Sequence, residues 1–303
     1  MTFHLTILGS NSAIPAHGRN HTSQILVINN EHFLIDCGEG TQLQIARYKC
    51  KLSRINHILI SHLHGDHYLG LIGLISSMHL QGRKKTLNLW GPAGLREIVS
   101  VQLKFSQTIL NFPIYFSELD EESGVIYQNN FMTITSFRLN HRIPCFGFLF
   151  KEKKKPRRLK KEKLPAWLQA KEFRQLKNGK DLTDPDGKII KNTTLTDPPR
   201  KSRSYAYCSD TRYMPELTSV IANCDILYHE ATFLHENMEW AESTFHSTTV
   251  EAATLAKNAK AGKLLIGHFS ARYKDLSPFL EEARPVFEST ELAIEGRTYS
   301  VDE

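Results

Sequence analysis

Apolar residues along the first 150 positions fall into short continuous runs. Ile25-Leu26-Val27-Ile28, Phe33-Leu34-Ile35 and Ile58-Leu59-Ile60 are too short for buried helices and predict buried strands. The opening stretch Phe3-His4-Leu5-Thr6-Ile7-Leu8-Gly9 reads as a first strand. Residues 69–80 and 95–103 read as amphipathic helices. Residues 206–303 repeat the style. Asp225-Ile226-Leu227-Tyr228 and Leu264-Leu265-Ile266 predict strands. Ser247-Thr248-Thr249-Val250-Glu251 offers a cap and a following acid, and opens an Ala-rich helix to Lys257. Strands interleaved with helices on both sides predict a layered α/β protein.

Residues 151–203 interrupt this alternation. They are rich in Lys, Arg, Pro, Asp and Gly. Only Leu164-Pro165-Ala166-Trp167-Leu168 and Ile189-Ile190 offer apolar anchors. A connection this long within a compact domain is functional or disordered. The expectation is a single domain over 1–303 with a flexible arm inserted at 151–203. Charge sharpens the picture. The chain carries a formal charge of +6, yet residues 151–163 alone hold nine basic and two acidic side chains, a net +7. The rest is near neutral, so the basicity is a local device. Lys154, Lys155, Arg157 and Arg158 belong to it. Such a run suits a nucleic-acid backbone, with binding that weakens steeply in salt.

An apolar fraction of 41% supports a sizeable core. No apolar run approaches the roughly 20 residues of a membrane span. The start has neither a basic leader nor a long apolar stretch, so no secretory signal and a cytoplasmic location are expected. Cys37, Cys50, Cys145, Cys208 and Cys224 are odd in number and lack zinc-ribbon or redox spacing. They read as reduced and mostly buried. Any metal must be held by His and carboxylates.

Such a set exists at Ser61-His62-Leu63-His64-Gly65-Asp66-His67, directly after Ile58-Leu59-Ile60. Two residues apart on an extended backbone, His62 and His64 point the same way. Gly65 allows a sharp turn. Asp66 and His67 then add a carboxylate and a third imidazole. Three nitrogens and one hard oxygen suit borderline divalent metals such as Zn²⁺, and two ions rather than one. This motif resembles the signature of the metallo-β-lactamase superfamily, which implies a four-layer αββα sandwich. The superfamily takes further ligands from the ends of later strands. Asn140-His141, Ser209-Asp210-Thr211 and Gly267-His268-Phe269-Ser270 each follow a predicted strand. The resemblance implies one ion on His62, His64 and His141, another on Asp66, His67 and His268, and Asp210 as the bridge.

Further stretches are similar to the ribonuclease Z family. They are Gly9-Ser10-Asn11-Ser12-Ala13-Ile14-Pro15 with Arg19-Asn20, Asp36-Cys37-Gly38-Glu39-Gly40-Thr41, His229-Glu230-Ala231-Thr232-Phe233, His246-Ser247, and His268-Phe269-Ser270-Ala271-Arg272-Tyr273. Together they span the chain apart from the arm. The family's arm usually carries a Gly-Pro element, which this sequence lacks. The resemblance implies a zinc-dependent endoribonuclease, two Zn²⁺ per subunit, that removes the 3′ trailer of precursor tRNA. The products are a tRNA 3′-hydroxyl and a trailer 5′-phosphate. It also implies a homodimer and an arm that grips tRNA.

The chemistry suits the residue types. Paired zinc ions make hydroxide available near neutral pH, and this nucleophile attacks the phosphodiester. Asp66 is placed to accept the proton of the attacking water. The resemblance makes His246 the donor to the leaving 3′ oxygen, oriented by Glu230. Ser270, Arg272 and backbone amides near 10–12 are candidates to grip phosphate, with Lys154, Lys155, Arg157 and Arg158 on the arm. The competing expectation is a phosphodiesterase of the same fold acting on small molecules, for which a +7 arm has little use.

Overall fold

The structure, a computed structural model, describes residues 2–120, 122 and 124–301. The first part of the chain forms β1 (Phe3–Gly9), β2 (Ser23–Ile28), β3 (Glu31–Ile35), β4 (Ile55–Leu59), β5 (Leu87–Gly91), β6 (Ile114–Glu118), β7 (Gly124–Gln128), β8 (Met132–Leu139) and β9 (Cys145–Glu152). The arm holds four two-residue strands, β10 (Arg158–Leu159), β11 (Leu182–Thr183), β12 (Ile189–Ile190) and β13 (Thr196–Asp197). The last third forms β14 (Ser204–Cys208), β15 (Ile226–Glu230), β16 (Lys263–Gly267), β17 (Thr290–Leu292) and β18 (Thr298–Ser300).

Two seven-stranded sheets result, ordered β18-β1-β2-β3-β4-β5-β6 and β17-β16-β15-β14-β9-β8-β7. In each, one side is antiparallel and the other parallel: β3 to β6 run parallel in the first, and β14 to β17 in the second. The sheets face each other across a core that includes Leu26, Phe33, Leu59, Phe148, Tyr207 and Tyr228. The first sheet's outer face, with Leu34, Ile58 and Leu89, packs on helices Leu71–Leu80 and Leu95–Phe105. The second sheet's outer face, with Ala206, Leu227 and Leu264, packs on helices Thr249–Asn258 and Ser277–Ala283. Four layers in the order αββα follow. Strands covered on both faces explain why β2, β14 and β15 are buried along their whole length.

Local chemistry sets the boundaries. Thr248, not Ser247, caps helix Thr249–Asn258, and Glu251 closes the capping box. The expected 69–80 helix begins at Leu71, because residues 65–68 form a separate turn of helix. All five cysteines are free thiols, four of them buried.

The arm is more built than its sequence suggests. Leu176, Leu182 and Leu195 join Leu168 in a separate cluster, with Trp167, Phe173 and Ile190 packed on it. Helix Ala170–Lys177 supplies Phe173 and Leu176, the β11–β12 hairpin supplies Leu182 and Ile190, helix Asn192–Leu195 supplies Leu195, and Trp167 and Leu168 come from the turn before the first helix. Their spacing follows no single period, so pattern reading finds only the two local anchors. At the arm's root, buried Glu152 pairs with buried Arg203 at 2.7 Å and with Lys155 at 2.9 Å. Burial raises the Glu152 carboxyl, but hydrogen bonds from Arg203 and Lys155 outweigh this and hold it at about 2.

Candidate metal centre

The strand register levels the ends of the second sheet. Cys208 pairs with His229, and Glu230 with Gly267. Asp210, Glu230 and His268 therefore emerge at one height, beyond or at the carboxyl ends of parallel strands. In the first sheet, Ile35 pairs with Leu59, so Asp36 and the 61–67 loop also emerge together. A bond from the Phe146 amide to the Ser61 carbonyl (3.0 Å) joins the two sheets at this rim. Crevices at the carboxyl ends of parallel strands are the usual place for ligands in α/β sheets.

All seven expected ligands converge there. His62 Nε2 and His141 Nε2 lie 3.1 and 3.0 Å from His64 Nδ1, and 3.6 and 3.8 Å from Asp210 Oδ2. His67 Nε2 and His268 Nε2 lie 3.3 Å apart, and 3.2 and 3.1 Å from Asp210 Oδ1. Asp66 Oδ2 completes the second group at 3.3 and 3.5 Å from these two nitrogens. Asp210 thus turns one oxygen to each group. Tetrahedral zinc with ligands at roughly 2.0–2.1 Å requires donor-to-donor edges of about 3.3 Å. The donor set fits divalent metal in spacing and in chemistry. The electrostatics agree. Desolvation disfavours a charged His67, yet Asp210, Asp66 and Asp36 hold it well above the ordinary histidine range. A bound cation meets the same three carboxylates. Burial together with the neighbouring His67 pushes His62 well below that range.

Sequence reading missed the groups that orient the ligands. Asp36 Oδ2 accepts from His67 Nδ1 (2.8 Å), the Tyr207 hydroxyl (2.6 Å) and Ser61 Oγ (2.8 Å), and Oδ1 accepts from the Ser61 amide (2.7 Å). Ser61 Oγ also contacts His62 Nδ1 at 3.0 Å. Thr232 Oγ1 meets His268 Nδ1 at 2.9 Å, and His141 Nδ1 donates to the Phe245 carbonyl at 3.0 Å. Each contact directs the other ring nitrogen to the centre. The signal for Asp36 was its place at the end of an apolar strand within a family motif. Asp36, Phe245 and His268 all adopt left-handed backbone, φ +55°, +63° and +61°, a strain that clusters at functional sites. Gly65 does not, so the turn there needs no glycine-only conformation. Gly38 admits no side chain: a Cβ there would lie 2.3 Å from the Asp66 carbonyl oxygen.

Beside the ligands, His246 Nδ1 lies 2.8 Å from buried Glu230. Burial opposes its charge, but Glu230 outweighs it and pushes the imidazole up to about 9. Glu230 also accepts from the Thr211 amide (2.8 Å) and Thr232 Oγ1 (2.6 Å). A cavity of about 700 Å³ opens over the centre, with His246, Ser270 and Arg272 in its lining. The amides expected to grip phosphate are already engaged. Ser10 donates to Glu295, Asn11 to the Asn20 carbonyl and Ser12 to the Phe269 carbonyl, at 3.2, 2.9 and 3.0 Å. The arm cations stand apart from this cavity. Lys154, Lys155 and Arg157 line a separate pocket of about 420 Å³ with Lys177 and Asn178. Lys155 spends its charge on Glu152, Arg157 Nε donates to Thr196 at 2.7 Å, and Lys154 and Arg158 are exposed.

Comparison with known proteins adds three likenesses and one family match. Residues 3–155 match the family model described as Anti-Pycsar protein Apyc1. The chain is 48% identical over 307 residues to ribonuclease Z of Cytophaga hutchinsonii, spanning 100% of this chain and 97% of the relative. The crystal structure of human tRNase Z, short form (ELAC1), matches with a TM-score of 0.73 and 27% identity, over 99% of this chain and 100% of that one. The metallo-β-lactamase fold protein YhfI from Bacillus subtilis matches with a TM-score of 0.70 and 18% identity, over 99% and 100%. This last likeness is one of fold alone, and identifies the sandwich as the metallo-β-lactamase fold.

Proposed function

The chain belongs to the ribonuclease Z family, and its residues 3–155 to the family described as Anti-Pycsar protein Apyc1; on that premise we infer that it is a tRNA 3′-processing endoribonuclease. It removes the 3′ trailer of precursor tRNA, leaving a 3′-hydroxyl on the tRNA and a 5′-phosphate on the trailer. The observation that carries this reading is Asp210 dividing its two carboxylate oxygens between two complete donor groups.

Two Zn²⁺ ions per subunit are proposed, one on His62, His64 and His141, the other on Asp66, His67 and His268, with Asp210 between them. Charge supports the number. Asp36, Asp66, Asp210 and Glu230 bring four negative charges, and a protonated His246 returns one. Two divalent ions leave a net +1, which a phosphodiester anion balances. When bound, divalent cations acidify water and offset charge gathering at phosphorus. The side chains do the rest. Asp66 contacts the His67 and His268 nitrogens and lines the cavity, placed to take a proton from the attacking water. Glu230 holds His246 by Nδ1, leaving Nε2 to give a proton to the leaving ribose 3′ oxygen. Ser270 and Arg272 face the same cavity and are proposed to meet phosphate. Lys154 and Arg158 are the arm's candidates for the RNA backbone; Lys155 and Arg157 serve chiefly to brace the arm.

We read 1–303 as one domain with the arm of 151–203 inserted as a tRNA exosite. A homodimer is proposed. Its support is the exposure of Leu80, Phe105 and Ile109, 82, 80 and 88%, at the close of helices Leu71–Leu80 and Leu95–Phe105 and the loop beyond them. Among the described residues no helix is long and apolar enough to cross a membrane. A cytoplasmic location is proposed from the tRNA substrate.

One assay tests the activity. Metal-loaded protein is incubated with a 3′-extended tRNA transcript, and both product ends are mapped. A single cut with the stated termini, abolished by chelator and restored by divalent metal, is expected. No cut under any divalent metal overturns the reading. A small-molecule phosphodiesterase of the same fold is the second reading; the family match over 3–155 takes in His62, His64, Asp66, His67 and His141, which would serve either enzyme. The match ends before Asp210, His246 and His268. Deleting residues 155–200 separates the two: the nuclease loses precursor tRNA cleavage, and the small-molecule enzyme does not depend on the arm.

A further inference from the structure

Trp240 lines the cavity over the metal centre and is 50% exposed. Its helix, Met238–Thr244, buries only Ala241, so packing does not account for so large an aromatic here. The surroundings are specific. The Arg272 guanidinium lies 4.1 Å from the centroid of the Trp240 ring and 5.7 Å from that of Phe233. Phe233 in turn lies 6.1 Å from the His246 ring. A continuous row, His246–Phe233–Arg272–Trp240, therefore leads from the centre to the rim. Arg272 makes no ion pair among the described residues. With its guanidinium carbon over the ring, it has N–H donors to offer to phosphate or a base edge. One face of the indole is taken by Arg272, and half the side chain remains open to a flat partner.

We propose that Trp240, backed by Arg272, is the stacking platform for the nucleobase on the 5′ side of the cleaved bond. This rests on the nuclease reading above. His246 serves the leaving 3′ oxygen, and that oxygen belongs to the 5′ nucleotide. The row that starts at His246 accordingly follows that nucleotide from its ribose towards its base. Unpaired RNA bases are held by stacking on aromatic rings and guanidinium planes. A platform of this kind is tolerant of sequence, because every base has a π-face. It fixes the strand across the centre without choosing among bases.

The test uses the metal-loaded protein and two 3′-extended tRNAs, one natural and one abasic at the nucleotide 5′ to the cut. Trp240→Ala is expected to lower kcat/KM on the natural RNA about 5- to 150-fold, the range spanned by one base stack. Trp240→Phe keeps a ring and is expected to stay within about 3-fold of wild type. On the abasic RNA, wild type and Trp240→Ala are expected to agree within about 3-fold, because the partner of the ring is already gone. A loss from Trp240→Ala that is as large on the abasic RNA as on the natural one overturns the proposal. If wild type cuts neither RNA, the nuclease reading falls and the platform with it. Cleavage by wild type with additive losses removes the platform alone.

Discussion

Replacing Asp36 with Asn isolates the support beneath the metal centre. The substitution keeps side-chain volume, and Asn tolerates the left-handed backbone at φ +55° that Ala would strain. What changes is charge and acceptor number. Asp36 accepts four hydrogen bonds, from His67 Nδ1, Tyr207, and the amide and hydroxyl of Ser61, at 2.6–2.8 Å in full burial. The amide NH₂ cannot accept, and its hydrogens meet other donors. Charge-assisted bonds contribute about 1.5–3 kcal/mol each. With hydroxyls free to rotate and accept, a net cost of about 2–4 kcal/mol is expected for the metal-free protein. That lowers Tm by about 3–6 °C. His67 also loses the carboxylate that fixes its ring, which weakens metal binding about 10- to 100-fold. Competition with a chromophoric chelator measures the affinity, and calorimetry of metal-free and loaded protein measures the rest. Wild-type affinity and Tm in Asp36→Asn would refute the assigned role.

Three other outcomes follow from the packing. His57 is stacked between Phe33 and Trp90, and burial, aided by Arg83, lowers it to about 4. Its folded pKa lies below the unfolded value of about 6.5, so the unfolded chain binds more protons in between and stability falls as pH drops from 6.5 to 4. The loss is about 3 kcal/mol, read from urea unfolding, and His57→Phe should flatten the slope in that window. Glu152→Ala leaves Arg203 buried without its carboxylate and should cost about 3–5 kcal/mol in urea unfolding; under 1 kcal/mol would show the arm's root is not clamped there. Gly38→Ala must displace the Asp66 carbonyl, so metal affinity should fall at least about 10-fold by chelator competition; unchanged affinity would mean the two loops move apart freely.

The ease of reading the sequence varied with the range of each contact. His62, His64, Asp66 and His67 declare themselves because their geometry is set within one loop. His141, Asp210 and His268 are legible only in order, each behind a strand, since isolated histidines are common. The partners of these ligands were not legible. Asp36 and His67 are 31 residues apart, and Thr232 and His268 are 36 apart, so only the fold reveals the contact. The amides of Ser10 to Ser12 looked free because their acceptors, Glu295, Asn20 and Phe269, lie elsewhere in the chain. Lys155 looked like an RNA contact, yet Glu152, three residues before it, takes its charge. Arm leucines with no common period concealed a core of their own.

The ligands are divided between the two sheets. His62, His64, Asp66 and His67 follow β4, whereas His141, Asp210 and His268 follow strands of the other half. Neither half carries a whole coordination set, so bound metal would act as a rivet across the seam. A ribosome delivers the N-terminal ligands first and His268 last of the seven. The growing chain therefore has no competent blade to turn on the RNA around it until the second half has docked.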